Sequence, residues 1–184
     1  TDNGATWDNA TTDNSTANNL YGVGFGNNTF VGVGFNGNIV RSTDNGTNWD
    51  NATSPTANLL YGVGFGNNTF VAVGDSGNIV RSTDNGTTWD NATSPTANGF
   101  VGVGFGNNTF VAVGFTGTIV RSTDNGSSFD NVTSPIASHI YGVGFGNNTF
   151  VAVGPSGKIV RSTDNGATWD NATSPTSNYL YTVG

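Results

Sequence analysis

Apolar residues alternate with glycine or polar residues in short runs along the whole chain. At 61–66, Tyr, Val and Phe alternate with three glycines, which is the two-residue period of a β-strand. A second β-rich run at 70–73 follows a Gly-Asn-Asn segment that is typical of a hairpin turn. Turns rich in Asn, Ser and Gly precede two further predicted strands, 78–82 and 87–92. The pattern predicts four antiparallel strands, which we name A to D in chain order.

This four-strand unit repeats. The tetrapeptide Thr-Asp-Asn-Gly begins at positions 1, 43, 83, 123 and 163, so the period is 42 residues once and 40 residues afterwards. We place complete units at about 19–58, 59–98, 99–138 and 139–178, with partial units at 1–18 and 179–184. A four-stranded sheet that is apolar on both faces must stack against others, and a radial stack of such sheets is a β-propeller. The sequence therefore predicts a single all-β domain of four-stranded blades, with the glycine-rich strand A innermost.

The turn between strands C and D carries the motif Ser-x-Asp-x-Gly-x-Thr-Trp. The motif is complete at 82–89 and 162–169, and two other copies depart from it at Asn48 and at Ser128 and Phe129. Its Asp, Gly and aromatic positions are Asp2, Gly4, Trp7, Asp44, Gly46, Trp49, Asp84, Gly86, Trp89, Asp124, Gly126, Phe129, Asp164, Gly166 and Trp169. In these copies the chain resembles the BNR (Asp-box) repeat family, which includes sialidases and photosystem II assembly-factor propellers. The resemblance covers nearly the whole chain. It implies a propeller whose Asp boxes are structural turns opposite the active-site face, and it implies no reaction.

The residue types of the motif suit a structural turn. We expect Asp84 to accept backbone N–H bonds, Gly86 to take a positive φ, and Trp89 to pack between blades. The hairpin also places Arg81 opposite Asp90, which predicts a cross-strand ion pair. The equivalent predicted pairs are Arg41 with Asp50, Arg121 with Asp130 and Arg161 with Asp170.

Composition removes several classes of protein. The formal net charge is −7 and the isoelectric point is about 4.1, which argues against nucleic-acid binding. The chain has no Cys, which excludes disulfides and zinc–thiolate sites, and no apolar run approaches the length of a membrane span. Glu is absent, and Lys, Ala and Leu are too few for a helical bundle. We predict no cofactor.

The candidate catalytic and metal motifs are weak. Sialidases resemble one another in using three clustered Arg and a Tyr–Glu pair, whereas this chain has no Glu and carries its four Arg at one repeated framework position. A catalytic triad would have to use His139, the single histidine, and we interpret this residue as a surface substitution. The Asp-Asn-Gly turns lack the further acidic ligands of calcium loops, so we predict no metal site. The sequence favours a protein that is not an enzyme.

Differences between the repeats concentrate in two places, the B–C turn and the D–A junction. In a propeller these two loops lie on one face, which is usually the ligand-bearing one. The variable positions that we predict as a possible ligand face are Phe35, Asp75, Phe115, His139 and Tyr179. Their aromatic rings are of a kind that stacks on sugar rings.

Sequons for N-glycosylation also recur with the repeat. One set is predicted on the outermost strand, and the other set is in the A–B turn. The candidate glycosylated residues are Asn9, Asn51, Asn91, Asn131, Asn171, Asn27, Asn67, Asn107 and Asn147. A glycan on the outermost strand would also block edge-to-edge pairing of sheets.

These features favour a non-catalytic structural or assembly protein outside the cell or at its surface. We expect its partners to be further copies of itself or more of the same chain, with glycans as a further candidate and with no nucleic acid. Three alternatives stay open: a carbohydrate-binding propeller, a fragment of a BNR-type glycosidase, and an assembly factor similar to the photosystem propellers.

Overall fold

The computed structural model describes Thr6, residues 11–12 and residues 18–184. These residues form seventeen strands and four short 3-10 turns. The strands are β1 (Thr11–Thr12), β2 (Leu20–Gly26), β3 (Thr29–Gly34), β4 (Ile39–Ser42), β5 (Asn48–Ala52), β6 (Leu60–Gly66), β7 (Thr69–Gly74), β8 (Ile79–Ser82), β9 (Asp90–Asn91), β10 (Phe100–Gly106), β11 (Thr109–Gly114), β12 (Ile119–Ser122), β13 (Asp130–Val132), β14 (Gly142–Gly146), β15 (Thr149–Val153), β16 (Ile159–Ser162) and β17 (Asp170–Ala172). The 3-10 turns are Phe35–Gly37, Asp75–Gly77, Phe115–Gly117 and Pro155–Gly157. Among the described residues, no helix is long and apolar enough to cross a membrane.

The strands form four antiparallel sheets, each built from consecutive strands: β2–β5, β6–β9, β10–β13 and β14–β17. This confirms the predicted all-β class and the four-stranded blades. Two details differ from the prediction. Strand D is shorter than expected in the second blade, where β9 holds only Asp90 and Asn91. In addition, β1 joins the first sheet as a fifth strand, parallel to β5.

Strand A is rich in glycine because the backbones of neighbouring blades meet there. A methyl group at Gly62 would lie 2.9 Å from the carbonyl oxygen of Val101 in the next blade, and one at Gly64 would lie 3.2 Å from that of Val103. A Cβ atom at Gly62 would clash with the neighbouring backbone, and one at Gly64 would be tighter than most Cβ contacts. The same geometry recurs where β2 meets β6 and where β10 meets β14, which confirms that the A strands converge.

The hydrophobic core consists of three clusters, each between two successive blades. In the first, Val31, Val33 and Ile39 of the first blade pack against the second blade. The second-blade residues of this cluster are Leu60, Phe70, Ala72, Val80 and Trp89. The other two clusters use the equivalent residues one and two repeats further on. Each blade therefore presents two different faces: a leading face that packs on the blade before it, and a trailing face that packs on the blade after it.

Two of these faces are not fully covered. On the leading face of the first blade, Leu20, Val23 and Phe25 are 47%, 66% and 53% exposed. On the trailing face of the fourth blade, Val151 and Ile159 are half-buried, whereas their counterparts in the other three blades are buried. Residues 180–184 lie over β14, where a further strand A would lie, but they form no strand.

Candidate functional site

The two variable loops of each repeat lie on the same face of the sheets. In the second blade, the backbone N–H of Asp75 in the B–C turn donates to the carbonyl of Leu59 in the D–A junction, at 2.9 Å. In the third blade, the N–H of Phe115 donates in the same way to the carbonyl of Gly99, at 3.0 Å. We call this side of the molecule the top face. The two loops therefore lie side by side, as the sequence predicted, while their role in ligand binding stays a prediction.

A row of aromatic rings crosses the top face from blade to blade. Each ring has at least one neighbouring ring of the row within 6.3 Å between centroids. We call this row the aromatic arc, and its members are Tyr21, Tyr61, Phe115, His139, Tyr141, Tyr179 and Tyr181. Sequence reasoning anticipated Phe115, His139 and Tyr179. It missed the tyrosines of strand A, because they recur in the repeat and were interpreted as structural residues. Their position two residues after a variable junction could have indicated that they lie on the top face.

The predicted ligand-face residues differ in exposure. Phe35 and Tyr179 are about half exposed, at 48% and 57%. Asp75 and Phe115 are half-buried, and His139 is exposed. Phe35 belongs to the same class of turn as Phe115 but to the first blade, outside the arc. The structure thus brings Phe115, His139 and Tyr179 into one row of rings.

His139 is held by the backbone of the preceding blade. Its Nδ1 accepts a hydrogen bond from the N–H of Thr116 at 3.1 Å. This hydrogen bond fixes the imidazole ring against the B–C turn of the third blade. Among the described residues, no group of three or more His, Asp or Glu side chains could hold a metal ion.

Asp75 lies close to the arc at the boundary between the second and third blades. Partial burial raises the pKa of the Tyr61 hydroxyl, and the negative charge of Asp75 raises it further. Tyr61 therefore stays protonated at neutral pH. A methyl group at Gly99 would lie 2.9 Å from the Phe115 ring and 3.3 Å from Asp75 Oδ1, so the ring and the carboxylate are neighbours.

The C–D turns, which we call the Asp turns, end strand C on the opposite, bottom face. In the second blade Asp84 Oδ1 accepts hydrogen bonds from Ser82 Oγ at 2.8 Å and from the N–H of Thr88 at 2.9 Å, and Oδ2 accepts from Thr88 Oγ1 at 2.6 Å. Ser82 Oγ also accepts from the N–H of Gly86 at 2.9 Å. The other three described Asp turns repeat this pattern.

These hydrogen bonds hold the carboxyl groups in the charged form. For Asp44 the bonds from the backbone and side chain of Asn48 lower the pKa to about 2. For Asp164 the bonds from Thr168 lower the pKa to about 2. Partial burial acts to raise the pKa of Asp124, but the bonds from Ser128 outweigh it and the pKa falls to about 2. The hydrogen bonds inside the turn give the carboxylate a structural role that explains why Asp recurs at this position, with no ligand required. Asp2, Gly4 and Trp7 of the first motif copy lie outside the described residues.

The predicted Arg–Asp ion pair is wrong for the second blade, although its register is right. Arg81 lies directly opposite Asp90 on the neighbouring strand. Its Nη1 donates instead to the carbonyl of Asn125 in the next blade, at 3.4 Å. The Nε atoms of Arg41 and Arg121 are buried with no hydrogen-bond partner among the described residues. The arginine side chains lie in the contact between blades, whereas Asp90 on strand D is exposed to water. Opposite positions on neighbouring strands therefore do not bring the guanidinium of Arg81 and the carboxylate of Asp90 together.

The two sets of predicted glycosylation sites have different surroundings. Those on strand D are exposed in all four blades: Asn51, Asn91, Asn131 and Asn171. In the A–B turns, Nδ2 of Asn27 donates to Asn85 Oδ1 at 3.2 Å, and Nδ2 of Asn107 donates to Asn165 Oδ1 at 3.0 Å. A glycan is attached through this nitrogen, so these two residues are less suitable acceptors. Asn9 lies outside the described residues.

Comparison with known proteins supports the fold alone. No protein-family model matches the chain, and no curated protein matches it. Among solved structures, YCF48 bound to a D1 peptide is 19% identical with a TM-score of 0.69, and the match covers 94% of this chain and 58% of that one. YCF48 from Cyanidioschyzon merolae is 18% identical with a TM-score of 0.69, over 92% of this chain and 61% of that one.

A GH74 enzyme gives a similar match. The GH74 enzyme of Niastella koreensis is 22% identical with a TM-score of 0.64, over 87% of this chain and 25% of that one. This chain therefore spans about three fifths of the YCF48 structures and a quarter of the enzyme. The neighbours include YCF48 as well as a GH74 enzyme, and what they share with this chain is the β-propeller fold.

Proposed function

We propose that this chain is a non-catalytic structural or assembly module of the BNR type, outside the cell or at its surface, that associates through its open blade faces. The observation that carries the proposal is the complementarity of those faces. The leading face of the first blade exposes Leu20, Val23 and Phe25, and the trailing face of the fourth blade leaves Val151 and Ile159 half-buried. The internal boundaries join faces of these same two kinds.

The occupant that fits both faces is another blade of this repeat, from a second copy or from more of the same chain. A second copy would place its first blade on the fourth blade of its neighbour, in the geometry of the three internal boundaries. Such an association is head-to-tail, so it gives a ring if the rotation closes and a filament if it does not. The incoming strand A has to displace residues 180–184 from β14, which weakens the association.

Two variants test this model by complementation. Val23→Glu places a charge on the leading face, and Val151→Glu places one on the trailing face. Each contact needs one intact leading face and one intact trailing face. In either variant alone, every copy has the same face damaged, so we expect neither variant to self-associate. An equimolar mixture joins the intact trailing face of the first variant to the intact leading face of the second, so it forms dimers and nothing larger.

Sedimentation equilibrium of the wild type, each variant and the mixture provides the measurement. Thr87→Glu, in an exposed turn, is the matched control and should associate as the wild type does. A wild-type chain that stays monomeric at every concentration contradicts association through a second copy. Intact-mass measurement of native material tests the other occupant of the open faces, more of the same chain, and also reports whether the predicted sequons carry glycans.

The non-catalytic assignment rests on residue types. The chain has no Glu, and the described Arg81 side chain serves an inter-blade contact rather than a shared anion site. We therefore expect no hydrolysis of sialosides or other common glycosides. Turnover that disappears with a single Asp or Tyr substitution would contradict this assignment and favour a fragment of a glycosidase.

A second candidate function is carbohydrate binding on the top face, which the aromatic arc favours. Tyr179 and Tyr181 are 57% and 66% exposed, and their rings are nearly parallel, at 24°. Exposed flat rings are suited to stacking on sugars. A glycan-array screen with Phe115→Ala and Tyr179→Ala as comparisons distinguishes this function from a purely structural one.

A further inference from the structure

At the boundary between the second and third blades, two aromatic rings and a carboxylate form a corner on the top face. The rings of Tyr61 and Phe115 meet at 83°, with their centroids 6.2 Å apart. The Asp75 carboxylate is beside the Phe115 ring, since both lie within 3.3 Å of the point that a methyl group at Gly99 would occupy. Tyr61, Asp75 and Phe115 are all half-buried, so part of each side chain reaches solvent. We call Tyr61, Asp75, Gly99 and Phe115 the aromatic corner.

The repeat explains why the corner forms at this boundary. The D–A junction position holds Leu59 in the second blade and His139 in the fourth, but Gly99 in the third. Because Gly99 has no side chain, the Phe115 ring settles against it. The B–C turn position on the other side of this junction holds Asp75 in place of the aromatic residue found in the first and third blades. The two departures from the repeat, Gly99 and Asp75, therefore both help to form the aromatic corner.

These groups share one chemical preference. The face of an aromatic ring carries partial negative charge and attracts organic cations, so a ring face that reaches solvent at the corner is a surface for a cation. A carboxylate beside the rings adds a full negative charge. Burial raises the pKa of the Tyr61 hydroxyl most, and the charge of Asp75 and a hydrogen bond with its carboxylate raise this pKa further, so the carboxylate is also a neighbour of Tyr61. The net charge of −7 further favours a positive ligand.

We propose that the aromatic corner, formed by Tyr61, Asp75, Gly99 and Phe115, binds an organic ammonium group. The ammonium lies against the solvent-exposed part of the rings, with the Asp75 carboxylate as its counter-ion. Either a small quaternary ammonium compound or the side chain of a lysine presents this chemistry. The site does not depend on blade-to-blade association, because the second and third blades that form it are joined within one chain.

A pair of probes of equal shape tests the site directly. Choline carries a quaternary ammonium, and 3,3-dimethyl-1-butanol has the same shape without the charge. Binding is followed by NMR chemical shifts of the aromatic protons at constant ionic strength. We expect saturable binding of choline and at least threefold weaker binding of the neutral compound, in the range of a cation–π contribution at an exposed site. Equal binding of the two compounds, or no saturation by choline, overturns the proposal.

Variants with matched controls assign the binding to the corner. Asp75→Asn and Phe115→Leu should each weaken choline binding about threefold or more. Asp90→Asn removes the same charge from strand D, and Phe35→Leu removes the equivalent ring from the first blade; both should bind as the wild type does. Unfolding curves show whether each variant is folded. Folded Asp75→Asn protein with unchanged affinity contradicts the assignment.

A third probe identifies the source of the cation. Nα-acetyl-lysine methylamide presents a primary ammonium as a peptide would. Tighter binding of this compound than of choline supports a lysine-bearing peptide as the ligand, and the reverse order supports a small quaternary ammonium ligand. Gly99→Ala should weaken both, because the added methyl group would lie 2.9 Å from the Phe115 ring and displace it.

Discussion

Gly126, in the Asp turn of the third blade, lies so close to Val71 of the second blade that a methyl group at Gly126 would be 2.7 Å from Val71 Cγ2. The same relationship joins Gly86 to Val31 and Gly166 to Val111. At Gly46, in the first blade, no atom of the described residues lies within 4 Å of the equivalent point. The Asp turn is therefore both a local turn and part of the contact between blades.

Substitution at Gly126 and at Gly46 separates these two roles. Both glycines have a positive φ, +77° and +83°, so Gly→Ala introduces comparable backbone strain at each. Only Gly126→Ala also drives a methyl group into the neighbouring blade. We expect Gly126→Ala to lower the free energy of unfolding by about 1–3 kcal/mol more than Gly46→Ala does, the usual cost of overpacking. Denaturant unfolding of the two variants gives the comparison, and equal losses would mean that the blades do not meet at this turn.

The carboxylate of the Asp turn should matter for stability and not for ligand binding. Asp84→Ala removes the acceptor of the Thr88 N–H and of two hydroxyl groups. We expect a loss of about 0.5–1.5 kcal/mol in the free energy of unfolding, the net value of a hydrogen bond, because water replaces the lost acceptor at this exposed turn. Asp90→Ala, at an exposed carboxylate on strand D, is the control and should have little effect. If Asp84→Ala leaves the melting temperature unchanged but abolishes binding of a ligand, the turn has a functional role instead.

Acid should weaken the fold over a defined range of pH. The pKa values of Asp44, Asp124 and Asp164 are lowered from the ordinary 3.8 to about 2. A carboxyl group with a lowered pKa stabilises the folded state above pH 3.8, and this contribution is lost as the pH falls towards 2. The free energy of unfolding should therefore decrease between pH 4 and pH 2.

The triple variant with Asn at these three positions tests the cause. It has no carboxyl groups to titrate in the three turns, so its stability should change less over the same range of pH than that of the wild type. Parallel slopes for the two proteins would assign the acid sensitivity to other carboxyl groups.

The sequence was most informative where one residue type serves one purpose. The alternation of glycine with Tyr, Val and Phe at 61–66 predicted strand A and its inner position, and the contact of Gly62 with Val101 shows the reason. It was least informative about contacts between repeats. The register of Arg81 with Asp90 followed from the hairpin, but the choice of Asn125 as partner depends on the next blade. Tyr61 was missed for a similar reason, because its ring neighbour Phe115 comes from another blade.

Trp89 should contribute to stability through both its ring and its indole N–H. It is 6% exposed between the first two blades, and its Nε1 donates to the carbonyl of Gly86 at 3.1 Å. The third blade has Phe129 at this position, 3% exposed, which shows that a smaller ring without a donor fits the boundary. We therefore expect Trp89→Phe to cost about 0.5–1.5 kcal/mol, the range of one hydrogen bond. Trp89→Ala should cost about 3–5 kcal/mol, since it also leaves a cavity in the core.

Trp49 provides the matched control for the ring. Its Nε1 makes the same hydrogen bond, to the carbonyl of Gly46 at 3.0 Å, but the side chain is only half-buried. The first blade has its leading face open, so the ring of Trp49 has less apolar area to lose. Trp49→Ala should therefore destabilise the protein less than Trp89→Ala, while the two Trp→Phe variants should differ little. Unfolding by denaturant measures all four variants, and equal losses for the two alanine variants would show that the ring stabilises its own turn and not the boundary between blades.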